Sequence, residues 1–312
     1  MKTLLKNPNV SRKLGIIGSL LVLMIVFTVL TNKFFSIGNF LNILQQAAIN
    51  LCVAVGMTYV IITGGIDLSV GSVMALSGMI MAMTMESGFP PVLAVFLGLA
   101  LGACFGSLNG VLIARLQLQP FLVTLGTMSA YRGITLIISN GLPVRGFSSA
   151  YVNFMNSLNK VIPLPIILSL ILALCALFVL RYFKFGQYLF AVGGNEEATR
   201  LSGINTSLMK IATYGFSGFC SALAAVIFLG RLGAADPQAG NGYEMNAIAA
   251  SAIGGASLAG GKGSIVGTII GCLILQTLNN GLTLLNVQSF YQTFAIGVIV
   301  LIATIIDRYS SK

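Results

Sequence analysis

The chain reads as an all-α integral membrane protein, a polytopic bundle of about ten transmembrane helices with the N- and C-termini in the cytoplasm. Three observations predict this. Hydrophobic residues make up 56% of the 312 and charged residues only 8%, against about 25% charged in soluble domains. Mean hydropathy is +0.95. Apolar runs close to the roughly 20 residues that cross a bilayer recur along the whole chain, without the alternation of a membrane β-barrel.

In order, the runs cover residues 14–30, 40–63, 68–85, 92–114, 120–139, 162–180, 208–230, 264–283 and 289–306. The first is followed by Thr31-Asn32-Lys33 and Phe34-Phe35, not by a small-residue cleavage site, so it is a span and not a cleaved signal. Residues 245–259, shorter and rich in Ala and Gly, either span or re-enter the membrane. With the N-terminus inside, Lys2, Lys6, Arg12, Lys13, Arg115, Arg181, Lys184, Arg200, Lys210, Lys262, Arg308 and Lys312 lie inside. Lys33, Arg145, Lys160 and Arg231 lie outside, and Arg132 falls within a span. This asymmetry obeys the positive-inside rule. Topology therefore accounts for the net charge of +10, and no nucleic acid is implied. Residues 1–312 form a single transmembrane domain, interrupted by a cytoplasmic loop at 181–207.

Residue types exclude most chemistry. There is no His, hence no Ser-His-Asp set and no common proton relay or metal ligand. Cys52, Cys104, Cys175, Cys220 and Cys272 fall one to an apolar run, without metal or redox spacing, and read as packing residues. The run Ala256-Ser257-Leu258-Ala259-Gly260-Gly261-Lys262-Gly263 departs from a phosphate-binding loop at its first and last positions. No catalytic residue, cofactor or metal is expected, and the chain carries no evident energy source.

Glycines are ordered. Gly98, Gly102, Gly106 and Gly110 recur every fourth residue, as do Gly263, Gly267 and Gly271. Such stripes let helix backbones approach closely in lipid; lining a conduit is the other reading. A short echo relates Gly64-Gly65-Ile66-Asp67-Leu68-Ser69-Val70-Gly71-Ser72 to Gly260-Gly261-Lys262-Gly263-Ser264-Ile265-Val266-Gly267-Thr268, both at breaks between apolar runs.

Polar residues at depth are the pathway candidates. Arg132, mid-membrane in its span, must face protein or water; it serves the pathway or pairs with a carbonyl or carboxylate. Asp67 suits a helix N-cap or a substrate contact. Asn50, Gln276, Asn279 and Asn280 are neutral amides suited to a hydroxyl-rich solute, and equally to interhelical hydrogen bonding.

The remaining polar island, Gly193 to Gly203, is flanked by Arg181, Lys184 and Lys210. Asn195 is a good N-cap, Glu196 and Glu197 favour the first turn of a helix, and Gly203 can end it. Glu197-Ala198-Thr199-Arg200-Leu201-Ser202-Gly203 resembles the Glu-Ala-Ala-x-x-x-Gly loop of ABC importer permeases, with Thr199 in place of the second Ala. Ile66–Ser72 and Ser257–Gly263 are similar to blocks of ribose-type sugar permeases, of the second carbohydrate-uptake family. So are Asn39–Gln46, Val55–Thr58, Gly242-Tyr243-Glu244 and Leu278–Leu282, and the resemblance runs from about residue 36 to 308.

The resemblance implies a homodimer of permease chains in the cytoplasmic membrane. A periplasmic or surface sugar-binding protein would deliver the sugar, ribose foremost, and a cytoplasmic ABC ATPase would supply energy. Asn195, Glu196, Glu197, Ala198, Arg200, Leu201 and Gly203 would form the coupling contact. Segments Asn140–Ile162 and Arg231–Glu244 are candidates for docking the binding protein. The rival classes are a stand-alone secondary transporter or facilitator, which needs an intramembrane ion site, and a scaffold subunit without a conduit.

Overall fold

The structure, a computed structural model, describes residues 8–157 and 163–310. Lys2, Lys6, Lys160 and Lys312 lie outside the described residues, and so does the end of the Asn140–Ile162 segment.

Helix α1 (Pro8–Leu30) leads through a turn into α2 (Ile37–Ile62), capped by Ser36, whose Oγ accepts from the Asn39 N–H at 3.3 Å. Next comes α3 (Val70–Glu86). Both α4 (Pro91–Arg115) and α5 (Pro120–Ser139) open on a proline, at a position where no intrahelical N–H is needed. A two-residue strand β1 (Val144–Arg145) and α6 (Ser149–Ser157) precede α7 (Leu164–Tyr182). Two short helices, α8 (Lys184–Gly194) and α9 (Glu196–Leu201), lead to α10 (Thr206–Leu232). Strand β2 (Ala234–Ala235), α11 (Tyr243–Ile253), α12 (Ile265–Leu284) and α13 (Ser289–Ser310) complete the chain.

Each of the nine apolar runs coincides with a helix. Among the described residues, helices α2, α4, α5, α7, α10 and α12 have the length and hydropathy to cross a membrane; α3, at 17 residues, is shorter. Apolar side chains exposed on the outside of the bundle, such as Val29, Phe96, Ile137 and Leu174, suit contact with lipid tails. Cys104 and Cys175 share this exposure, while Cys52, Cys220 and Cys272 are buried.

The core is α2, α3 and α10, with α4 antiparallel to α10. The glycine stripe of α4 lies against α10: a Cβ on Gly110 would come within 2.6 Å of Ile211 Cα, and one on Gly106 would meet the Tyr214 carbonyl. The stripe is therefore a packing device. The second stripe acts likewise, with Gly267 and Gly271 against the carbonyls of Gly254 and Ala250.

The tenth candidate segment is helical only in part. Its helix, α11, has eleven residues, about 16 Å at 1.5 Å per residue, roughly half the hydrocarbon thickness. It is neither a full spanning helix nor a loop that returns to its starting end. Helix α10 ends at Leu232, whereas α12 starts beside Gly254, at the opposite end of the bundle. The chain crosses between them as irregular backbone over residues 233–242 followed by the half-helix. Glycine and proline in that stretch preclude continuous helix. Its backbone packs on α3, where a Cβ on Gly240 would meet the Gly71 carbonyl. Irregular backbone at membrane depth is tolerable when protein covers it.

Two ends of the bundle follow from this path. One carries α8, α9, Arg115, Lys210 and Lys262. The other carries Lys33, Arg145 and Arg231, and is closed by the pairing of Val144 with Ala235 and Arg145 with Ala234.

Candidate coupling and pathway sites

Helix α9 forms where Asn195 turns extended (φ −160°, ψ 100°) and its Oδ1 accepts from the Ala198 N–H at 2.9 Å. The predicted cap is present. Glu196 and Glu197 occupy the first turn, beside the helix's free N–H groups. Gly203, at φ +83°, takes the left-handed conformation that ends the helix and that a Cβ disfavours. Asn195, Glu196, Glu197, Ala198, Arg200, Leu201 and Gly203 are all exposed, Leu201 at 75%; only Thr199 is buried. Replacing Asn195 by Ala should destabilise α9 by about 1 kcal/mol. Amide exchange across residues 196–203 should then accelerate, and unchanged protection would show that packing alone holds the helix.

Arg200 grips Glu197 through both carboxylate oxygens, at 2.6 and 3.0 Å. This holds the Glu197 carboxyl below its usual range, chiefly through the hydrogen bond. The charge therefore persists as the pH falls through the range where a free Glu protonates. Glu196 meets Lys210 at 2.6 Å. Beside this acidic turn lies a cleft of about 440 Å³ between the α4–α5 connection and the start of α10, lined by Gln117, Leu118, Glu196, Glu197, Arg200 and Lys210.

The base of α9 is wedged into the bundle. A Cβ on Gly193 would meet the Ile62 carbonyl, and one on Gly260 would come within 2.7 Å of the Gly193 carbonyl and 3.0 Å of Gly64 Cα. The Gly261 N–H donates to Ile62 at 2.9 Å. The two echoing glycine segments thus meet each other and the coupling loop at one joint.

Asp67 is fully buried. Its Oδ1 accepts from the Ser69 N–H at 3.0 Å and from Ser69 Oγ at 2.6 Å; its Oδ2 accepts from Ser217 Oγ at 2.8 Å. The N-cap position of α3 is Ser69, so the predicted cap is displaced: Asp67 braces the residue before the helix and ties it to α10. Asn109 donates to Ser69 Oγ at 2.8 Å and extends the network to α4.

Arg132 takes the carbonyl-pairing role. Its Nη1 donates to Pro237 O at 2.5 Å and Ala239 O at 2.8 Å. These carbonyls belong to the irregular crossing, which has no helix to satisfy them. Arg132→Ala should leave both without this donor, a loss of about 2–3 kcal/mol. Expected is a lower melting temperature and faster proteolysis near residue 237; wild-type values for both would assign Arg132 elsewhere.

The amides are brought together. Asn50 Nδ2 donates to Gln276 Oε1 at 3.1 Å, Gln276 to Gln46, and Gln46 to Asn42 Oδ1 at 3.1 Å, which also accepts from Arg231 at 3.0 Å. Asn280 donates to Asn39 at 2.9 Å. Asn39, Asn42, Gln46 and Asn50 recur at helical spacing along one side of α2. Hydropathy singles out neither these nor Arg231, although the period was available as a signal. The Oδ1 atoms of Asn50, Asn279 and Asn280 are buried with no hydrogen-bond partner among the described residues.

At the opposite end, the two candidate docking segments meet where Val144–Arg145 pairs with Ala234–Ala235. Beyond the β1–β2 pairing, α6 packs on α10, with Asn156 donating to Gly230 O at 2.8 Å and Tyr151 to Val226 O at 2.6 Å.

A bundle with amides along its interior and one polar helix offered to the outside has the build of a transport permease. Known proteins agree. Residues 39–304 match the family described as "Branched-chain amino acid transport system / permease component", and the chain belongs to that family. It is 45% identical to the ribose import permease protein RbsC of Bacillus subtilis, over 97% of this chain and 95% of the relative. Identity is 46% to RbsC of Escherichia coli K12 (93% and 92%) and 40% to its D-allose permease AlsC (96% and 93%). No solved structure matches. The protein is a multi-pass permease of the bacterial cytoplasmic membrane.

Proposed function

We propose that the chain is the membrane subunit of an ATP-binding-cassette importer for a monosaccharide, ribose foremost, and that hydrolysis takes place on a separate ATPase. The observation that carries this reading is α9, an exposed, capped helix with an acidic first turn and an apolar tip at Leu201, rooted in the joint of Gly64, Gly193 and Gly260. Its seven exposed residues meet the ATPase, and the joint conveys the movement to both helix breaks. The relatives named for ribose import and D-allose transport support the sugar class.

The finer features belong to the same proposal. Two permease chains form the working unit. The chain crosses the membrane ten times, counting the irregular crossing, with both termini in the cytoplasm on the side of α9; the basic residues on that side support this orientation. The chain is one permease domain with residues 181–207 as its coupling loop. The surface of β1, β2 and α6 receives the sugar-binding protein. Asn50, Gln276, Asn279 and Asn280 serve the pathway, with Asp67 and Arg132 holding its walls.

Vesicles carrying the chain with its ATPase test this. Uptake of radiolabelled ribose should require ATP inside and loaded binding protein outside. Uptake driven by an ion gradient without ATP would instead establish a secondary transporter.

A further inference from the structure

We propose that the cavity among α2, α10, α11 and α12 is a transient subsite for an uncharged polyhydroxylated solute, a monosaccharide in ring form; this rests on the importer reading above. The cavity measures about 260 Å³, and its polar lining is Gln46, Asn50, Arg231, Tyr243 and Gln276.

The chemistry of the lining selects the ligand. Amides present donors and acceptors together, as sugar hydroxyls require. No carboxylate lines the cavity, so a cation finds no counter-charge, and Arg231 is already engaged by Asn42. Phe228 and Ile49 add the apolar surface that a sugar's C–H face needs.

Placement agrees. Arg231 lies 25 residues along α10 from its start beside α9, about 38 Å, on the proposed binding-protein side. Asn50 lies midway along α2, and beyond it Leu51–Ile62 are all buried. The cavity therefore runs inward from one face and stops at a closed wall. Tyr243, the first residue of the half-helix α11, lines it, and interrupted helices mark the solute sites of many transporters. The far end of α11 leads through Gly254 to Gly260 and Gly261 under the coupling loop, so movement of α9 has a path to the cavity wall.

The test uses the importer reconstituted with its ATPase and binding protein. Gln276→Leu should assemble with the ATPase at wild-type yield yet take up radiolabelled ribose about tenfold more slowly, and Gln276→Asn should recover part of the loss. Wild-type uptake by Gln276→Leu overturns the proposal. If Gln276→Leu fails to accumulate, Gln46→Cys decides, in a chain whose native cysteines are replaced by alanine. Labelling by a small, membrane-impermeant thiol reagent that ribose slows supports the subsite. No labelling, or labelling indifferent to ribose, overturns it. A wild-type chain without ATP-driven uptake contradicts the importer reading instead, and the two failures are separable.

Discussion

Glu197→Lys is expected to abolish sugar uptake while the permease inserts and accumulates as the wild type does. The residue is exposed and its one ion pair among the described residues is with Arg200, a neighbour on the same short helix, so the fold loses little by its replacement. Docking loses much more. Reversal places a lysine beside Arg200 and, in the proposed coupling contact, would set positive charge against basic groups on the ATPase. Opposed like charges of this kind weaken an interface about a hundredfold. Uptake by whole cells, read against immunodetected permease in membranes, checks both halves. Normal uptake would remove Glu197 from the coupling contact, and loss of the protein would make its role structural.

The second large effect is on assembly. Gly106→Leu should leave little permease in the membrane. Even the first carbon of the new side chain would collide with the Tyr214 carbonyl, a backbone atom at the heart of the α4–α10 contact. Backbone cannot rotate away as a side chain can, and overpacking here should cost more than about 3 kcal/mol. Gly102→Leu should behave alike, since its Cβ would come within 2.5 Å of Ala222 Cβ and 2.7 Å of the Gly218 carbonyl. Gly126→Leu, where nothing lies within reach of a Cβ, is the control and should accumulate normally. Equal abundance of all three would mean that the stripe does not pack.

Most of the fold is legible in the sequence because membrane solvation imposes it locally: every apolar run became a helix. Segments that do not depend on lipid were harder to read. Helices α6 and α8 are too short for a hydropathy window, and the β1–β2 pairing joins residues about 90 positions apart. The stretch 233–253 has helix-like composition only in its second half, which is α11.

The candidate sites divide in the same way. The cap at Asn195 and the stop at Gly203 are interactions within one turn, and a single sequence discloses them. Arg132 depends on carbonyls 105 and 107 residues away, and Asp67 on a hydroxyl 150 residues away. Nothing in their neighbours announces those partners. The amide stripe is intermediate: the spacing of Asn39, Asn42, Gln46 and Asn50 puts them on one face, but only the fold shows that Gln276 and Arg231 stand opposite.

The central claim is that α9 is the helix the ATPase grips. Leu201→Cys, at its exposed tip, allows this to be measured after mild-detergent purification with a short cysteine-directed cross-linker. The account predicts one covalent adduct between the permease and a co-purifying ATPase, weakened in the Glu197→Lys background. An ATPase that co-purifies but never cross-links from position 201, and stays bound when Glu197 is reversed, would contradict it.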